Sequence, residues 1–138
     1  MKNLILLTLL SFGVLTFAQK STKNKIDPKL NGIWSGSETG SQGDGITKYW
    51  VMNRLSDGTF TLMFTVTKNC ISNSHVERGQ WWVKDGKYYE LHFDSGDTDV
   101  YTYNFPTSKT VKYKMESSEY VDGAYEFIDT KIGEIEKE

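Results

Sequence analysis

Two histidines and three carboxylates carry the groups that metal binding and proton transfer require. His75 and Glu77 lie two positions apart, Glu90 and His92 repeat that spacing, and Asp94 follows at the same interval. In a β-strand this spacing places the side chains on one face. Imidazole and carboxylate groups on neighbouring strands can ligate a divalent metal or act as general acid and base.

The surroundings of this group favour a solvated surface over a catalytic site. The face belongs to the more polar side of its two predicted strands, so we expect it to point to solvent. The spacing matches no metal-ligand motif, and the sequence contains no Gly-rich phosphate loop and no nucleophile elbow. We therefore predict no catalytic residue, no metal site, no cofactor and no enzymatic activity.

The elements that position these side chains are short β-strands. From Leu30 to about Thr130 the chain is rich in aromatic and β-branched residues, with turn signals between the runs. Eight strands are predicted, at residues 31–39, 46–56, 59–68, 75–84, 87–94, 98–105, 109–117 and 121–130. Short connections make successive strands neighbours in the sheet, and closure removes both sheet edges. The predicted fold class is all-β, an antiparallel up-and-down meander closed into a small barrel.

Two Asp-Gly dipeptides predict the register of the sheet. Asp57-Gly58 and Asp85-Gly86 are typical of two-residue type I′ turns, which fix the residues that lie opposite each other. In each hairpin, one face of the strands is then more apolar than the other, and we expect the more apolar face to point inward. The side chains predicted to line the lumen and to bind a ligand are Tyr49, Asn53, Arg78, Gln80, Trp82, Tyr89, Tyr101, Tyr103 and Tyr113.

An aromatic lumen with few polar groups is typical of a site for a small amphipathic or hydrophobic molecule. An inward guanidinium without a partner would be costly, so Arg78 is expected to meet an anionic group of the ligand, an acidic side chain or the barrel mouth, of which we favour the mouth. The alternative is that the lumen is filled by its own side chains, since an eight-stranded barrel is only just wide enough for a ligand.

A protein partner is the second hypothesis. Trp50, Met52, Met63 and Trp81 fall on the predicted outer face, where they would form an apolar patch. Such a patch is typical of an inhibitor or immunity-type protein, but a terminal segment or a second copy could equally cover it.

The ends of the chain predict export and a single domain. Residues 1–18 have a positive start, an apolar stretch and the small-residue pattern Thr16-Phe17-Ala18, typical of a cleaved signal peptide. We expect a basic polar linker at residues 19–29, a barrel domain at residues 30–132 and a frayed acidic tail at residues 133–138. The location is then periplasmic or secreted, without a membrane anchor after cleavage.

The net charge limits the classes of partner, and the cysteine content limits the possible disulfides. The net charge of −2 argues against a nucleic-acid partner, which would require clustered positive charge. Cys70 is the only cysteine, so no intramolecular disulfide is possible. We interpret it as a small buried hydrophobe, with an intermolecular disulfide or a reactive thiol as the alternative.

The segment from Leu30 to Gly36, with Gly32 and Trp34, resembles the Gly-x-Trp signature that opens lipocalins and their calycin relatives. The resemblance is architectural and extends over the meander that follows. It implies that Trp34 packs across the closed end of the barrel and that the ligand is a small hydrophobic or amphipathic molecule. The chain departs from the lipocalin pattern because it is shorter and lacks a disulfide pair and a recognisable C-terminal helix.

Overall fold

The computed structural model describes residues 24–40, 43–117 and 125–134. A short 3-10 helix, Pro28–Leu30, precedes eight strands: β1 Gly32–Thr39, β2 Ile46–Arg54, β3 Thr59–Lys68, β4 Ile71–Lys84, β5 Lys87–His92, β6 Thr98–Thr107, β7 Thr110–Ser117 and β8 Glu126–Gly133. Each strand pairs antiparallel with the next, and β1 pairs with β8 to close the barrel. The predicted fold class is confirmed. The predicted signal peptide, the first part of the predicted linker, the start of the last predicted strand and most of the predicted acidic tail lie outside the described residues.

The segment before β1 covers one end of the barrel. The backbone of Lys25 forms a two-bond bridge with Val83, at N–O distances of 2.9 and 2.7 Å. Asp27 accepts a hydrogen bond from the backbone N–H of Lys29 at 3.0 Å, which stabilises the start of the 3-10 helix. The helix ends on Leu30, which is fully buried. We call this side the closed end of the barrel.

The turn at Asp85-Gly86 has the predicted form. Both residues have positive φ, 52° and 76°, as a type I′ turn requires. Trp82 therefore lies opposite Tyr89, and the predicted register of this hairpin is confirmed.

The turn at Asp57-Gly58 is wider than predicted, and the register prediction there is wrong. Only Gly58 has positive φ, because Asp57 instead accepts hydrogen bonds from the N–H and the hydroxyl of Thr59 at 2.8 and 2.7 Å. The loop therefore contains a third residue, and Arg54 rather than Leu55 lies opposite Phe60. A shift of one residue exchanges the faces of a strand. β2 consequently points Trp50, Met52 and Arg54 inward.

A tight turn at Asn69-Cys70 decides the face of β4 and β5. Both residues have positive φ, 51° and 62°, so β4 already begins at Ile71 and its register on β3 follows from this turn. Since Phe60 and Leu62 point inward, Gly79 and Glu77 opposite them do so too. Trp81 follows on the same face. The predicted inward face of this hairpin, with Trp82, is therefore the outer one, and Cys70 is exposed at the hairpin tip rather than buried.

The core lies at and next to the closed end and is mostly aromatic. Its buried members are Leu30, Trp34, Trp50, Met52, Phe60, Leu62, Trp81, Tyr88, Tyr101, Val111 and Tyr113. Rings contact one another at 5.0–6.4 Å between centroids, mainly in tilted and edge-on arrangements. The large side chains fill this half of the barrel.

Candidate functional site

A cavity of about 320 Å³ occupies the other half of the lumen. It lies beyond the buried core, and many of its lining residues are only partly buried. Its lining residues are Lys48, Trp50, Met52, Arg54, Leu62, Phe64, Glu77, Glu90, His92, Asp99, Tyr101, Met115, Tyr125, Phe127 and Asp129. Eight of these fifteen side chains are aromatic or aliphatic, and the other seven are charged or titratable.

A buried ion pair forms the floor of the cavity. The Arg54 guanidinium donates to the Asp129 carboxylate at 2.9 Å, and both side chains are almost completely buried. Trp50 Nε1 donates to the other carboxylate oxygen at 2.6 Å, and Arg54 Nε donates to the Tyr88 hydroxyl at 3.0 Å. Burial opposes the charge of Arg54, but Tyr113, Tyr88 and Asp129 outweigh it and raise the pKa of the guanidinium.

Below this pair, Trp34 closes the barrel. It is fully buried, and its indole N–H donates to the backbone carbonyl of Leu30 at 2.9 Å. The Lys131 ammonium lies 5.5 Å from the ring centre, a cation–π distance. Gly32 has a φ of 121°, and a Cβ there would meet the backbone carbonyl oxygen of Gly133 at 2.8 Å. Only glycine fits this approach, so both residues of the Gly-x-Trp motif have structural roles.

A second polar group, which we call the wall cluster, consists of Glu77, Glu90, His92 and Asp99. His92 Nδ1 lies 2.7 Å from Glu77 Oε2, and its Nε2 lies 3.5 Å from Asp99 Oδ2 and 3.7 Å from Glu90 Oε1. Burial alone would lower the pKa of His92, but Asp99, Glu90 and Glu77 outweigh it and raise the pKa to about 9. Burial also raises the pKa of Glu90. His92 is thus an imidazolium at neutral pH.

The mouth carries a further ion pair. Lys48 Nζ lies 3.3 Å from Glu38 Oε1, with both side chains only slightly exposed. The Lys48 ammonium also stands 6.0 Å from the Phe64 ring centre and 5.7 Å from that of Tyr125. These contacts hold the ammonium against the aromatic rim.

Three of the nine predicted lumen residues point inward. Tyr101 lines the cavity, whereas Tyr113 is fully buried in the core and the Tyr103 hydroxyl donates to Asp27 at the closed end. The other six lie on the outer face because of the two register effects described above: Tyr49, Asn53, Arg78, Gln80, Trp82 and Tyr89. Their predicted lumen position is wrong.

The prediction that the polar face points to solvent is wrong for Glu77, Glu90 and His92, which line the cavity, whereas His75 on the same face is half exposed. His75 stands near the mouth and bonds Glu77 at 2.6 Å, while Asp94 is exposed in the turn after β5. Within the described residues, no group of three histidine, cysteine or acidic side chains has the arrangement of a metal site.

The predicted outer patch also changes. Trp50, Met52 and Trp81 are buried, and only Met63 of that set is exposed. Sequence reasoning missed Arg54, Asp99 and Asp129 as lumen residues. The Asn69-Cys70 turn is the feature from which the inward position of the wall cluster could have been predicted, because its positive φ values fix which face of β4 points inward.

Comparisons with protein-family models, curated proteins and solved structures find no match for this chain. In the part of the chain that the structure describes, no helix is both long and apolar enough to cross a membrane.

Proposed function

We propose that this protein binds a small amphipathic or hydrophobic molecule in the barrel cavity and that it acts without catalysis. The observation that carries the proposal is the cavity of about 320 Å³ beside a core that is otherwise packed with aromatic rings. Its volume lies at the lower end of the range for ligand pockets. The eight aromatic and aliphatic side chains provide burial for such a ligand, and the seven charged or titratable ones provide orientation.

Two sequence features extend the proposal. The signal-peptide pattern at residues 1–18 supports export to the periplasm or the medium. The Gly32 and Trp34 motif supports a lipocalin-like, calycin-type barrel, since Trp34 is buried at the closed end as the resemblance implies.

Fluorescence of Nile red, an uncharged hydrophobic probe, tests the cavity directly. Met115 lines the cavity, whereas Met63 is half exposed on the outer face. We expect the probe to bind the wild-type protein and Met63→Trp equally, and Met115→Trp at least about tenfold more weakly because the indole occupies the cavity. Equal binding by Met115→Trp, or no binding to the wild type, would overturn the proposal. Native mass spectrometry of protein purified from its own host would then identify a retained molecule.

A protein partner remains a second candidate because of a different outer patch. Tyr49, Met63 and Ile128 are each about half exposed and line one depression on the outer face. Contiguous exposed apolar groups are typical of interaction surfaces. If this surface binds a protein, Met63→Lys will abolish co-purification of that protein from the native host, while Met115→Trp will leave it unchanged.

A further inference from the structure

The wall cluster contains more negative than positive charge. One imidazolium, His92, faces the carboxylates of Glu77, Glu90 and Asp99 at 2.7, 3.7 and 3.5 Å. Among the described residues no other cationic group lies within 4 Å of Glu90 or Asp99 in an ion pair. Even when His75 is protonated, it adds only a second cation on Glu77, so three carboxylates face two cations.

The remaining charges of the cavity do not correct this excess. Arg54 is paired with Asp129 at 2.9 Å, and Lys48 is paired with Glu38 at 3.3 Å. Arg54 also attracts the Glu90 carboxylate, but its charge is already matched by Asp129, so the carboxylates that line the cavity still outnumber its cations. The excess therefore belongs to Glu90 and Asp99, both of which line the cavity.

Aromatic rings stand beside these two carboxylates. The Tyr101 hydroxyl donates to Asp99 at 3.0 Å, and its ring packs edge-on against Phe127 at 5.5 Å. Trp50 and Phe64 stack at 6.4 Å on the same lining. Ring faces attract a cation, and carboxylates at low dielectric attract it more strongly than in water.

We propose, on the basis of the function proposed above, that the ligand is a protonated organic amine with an aromatic or aliphatic body. Its ammonium group would lie against Glu90 and Asp99, and its body would lie against the aromatic wall. A carboxylate ligand would meet two carboxylates that share one imidazolium there, and juxtaposed like charges oppose binding.

The floor of the cavity is compatible with this assignment. Arg54 Nη1 is a buried N–H without a hydrogen-bond partner among the described residues. Since Asp129 already neutralises the guanidinium, this N–H can donate to an uncharged oxygen at the far end of the ligand and does not require an anion.

Two matched series of probes test the charge preference by isothermal titration calorimetry. Tryptamine, tryptophol and indole-3-propionate share an indole body, and octylamine, octanol and octanoate share an alkyl chain. We expect the amine to bind at least about tenfold more tightly than the alcohol in one series or both, and the carboxylate to bind most weakly. Equal binding of amine and alcohol, or tightest binding of the carboxylate, would overturn the proposal.

Variants of Asp99 and Glu90 test whether these two carboxylates cause the preference for the amine. Asp99→Asn and Glu90→Gln should each remove most of the preference for the amine while keeping the binding of the alcohol. Glu126→Gln makes the same charge change on an exposed residue and should keep the full preference. A preference that persists in both Asp99→Asn and Glu90→Gln would contradict the assigned position.

The failures of the two proposals are distinguishable through Nile red. If the probe binds and no member of either series does, the amine assignment is overturned and the cavity remains a binding site. If neither the probe nor any member of the series binds, the proposed function fails as well.

Discussion

The floor of the cavity and the wall cluster differ in how their buried charges are balanced. At the floor, next to the closed end, one cation, Arg54, meets one carboxylate, Asp129, and both side chains are almost completely buried. In the wall cluster, His92 is shared among three carboxylates. Balanced charge in the core stabilises the fold, whereas the excess negative charge on the cavity wall can be neutralised by a ligand of positive charge. The difference separates the ion pair that stabilises the structure from the carboxylates that we propose to bind the ammonium group.

Breaking the Arg54–Asp129 pair should have the largest effect on stability. Asp129→Asn leaves the Arg54 guanidinium buried without a counter-charge, so we expect the free energy of unfolding to fall by about 3–5 kcal/mol. Urea denaturation measures this loss. Replacing both partners, Arg54→Met with Asp129→Leu, should recover most of it, because a well-packed apolar pair can replace a buried ion pair.

The matched control is Glu126→Gln, which breaks the exposed pair with Lys112. We expect no measurable change in stability, since exposed ion pairs contribute little. If Asp129→Asn were as stable as Glu126→Gln, the contrast between the two regions would be wrong.

The pH dependence of stability should report the wall cluster. Because the pKa of His92 is raised from 6.5 to about 9 in the folded state, protonated His92 stabilises the fold. This stabilisation is complete below about pH 6.5 and is lost as the pH rises through about 9. The difference in unfolding free energy between wild type and His92→Gln should therefore shrink by roughly 2–3 kcal/mol over that window. NMR titration of the His92 ring gives the pKa directly, and a value near 6.5 would contradict the prediction.

Gly36 leaves the space that the indole ring of Trp50 occupies. A Cβ at Gly36 would lie 2.3 Å from the indole ring, so Gly36→Ala must displace Trp50 from its hydrogen bond to Asp129. We expect a loss of about 1–3 kcal/mol, typical of overpacking. Gly133→Ala is the control, because its nearest neighbour, Ile33 Cδ1, is 3.3 Å away and belongs to a flexible side chain. Equal thermal melting of the two variants would contradict the predicted clash.

Glu90→Gln should have the smallest effect. Burial raises the pKa of Glu90, which means that the folded state disfavours its charge. Neutralising it should change the unfolding free energy by about 1 kcal/mol or less at neutral pH, without the large loss expected for Asp129→Asn. A loss as large as that of Asp129→Asn in urea would show that the wall cluster is balanced after all.

The sequence predicted the architecture better than the faces of the strands. Aromatic and β-branched runs separated by turn residues were sufficient for eight strands and a closed meander. Which face of a strand points inward depends on single residues in the turns. The Asp57 carboxylate accepts hydrogen bonds from Thr59, and Asp57 does not have the positive φ that the predicted turn requires. Both faces of the β4–β5 hairpin carry a Trp and Tyr pair, so hydrophobicity could not decide between Trp81 and Trp82.

The candidate site was less predictable because its charges are inside the barrel. Sequence rules place carboxylates and histidine outside, and that rule assigned Glu77, Glu90 and His92 to solvent. His92 and its partners lie on the neighbouring strands β4, β5 and β6, so the sequence failed to indicate the face of these strands rather than the pairing, whereas the Arg54–Asp129 pair joins strands far apart along the chain. Asp129 is 75 residues away from Arg54 along the chain.

Seven of the eight strand pairings join strands that are adjacent in sequence, and only β1 with β8 joins the two ends of the domain. Local hairpins close over short loops, whereas this last pairing closes a loop of about 100 residues at a higher entropy cost. Arg54 lies in β2 and Asp129 in β8, so the two charges meet only when the meander closes. A chain with all its hairpins formed but its ends apart would carry an unpaired guanidinium, so burial of this charge and closure of the barrel depend on each other.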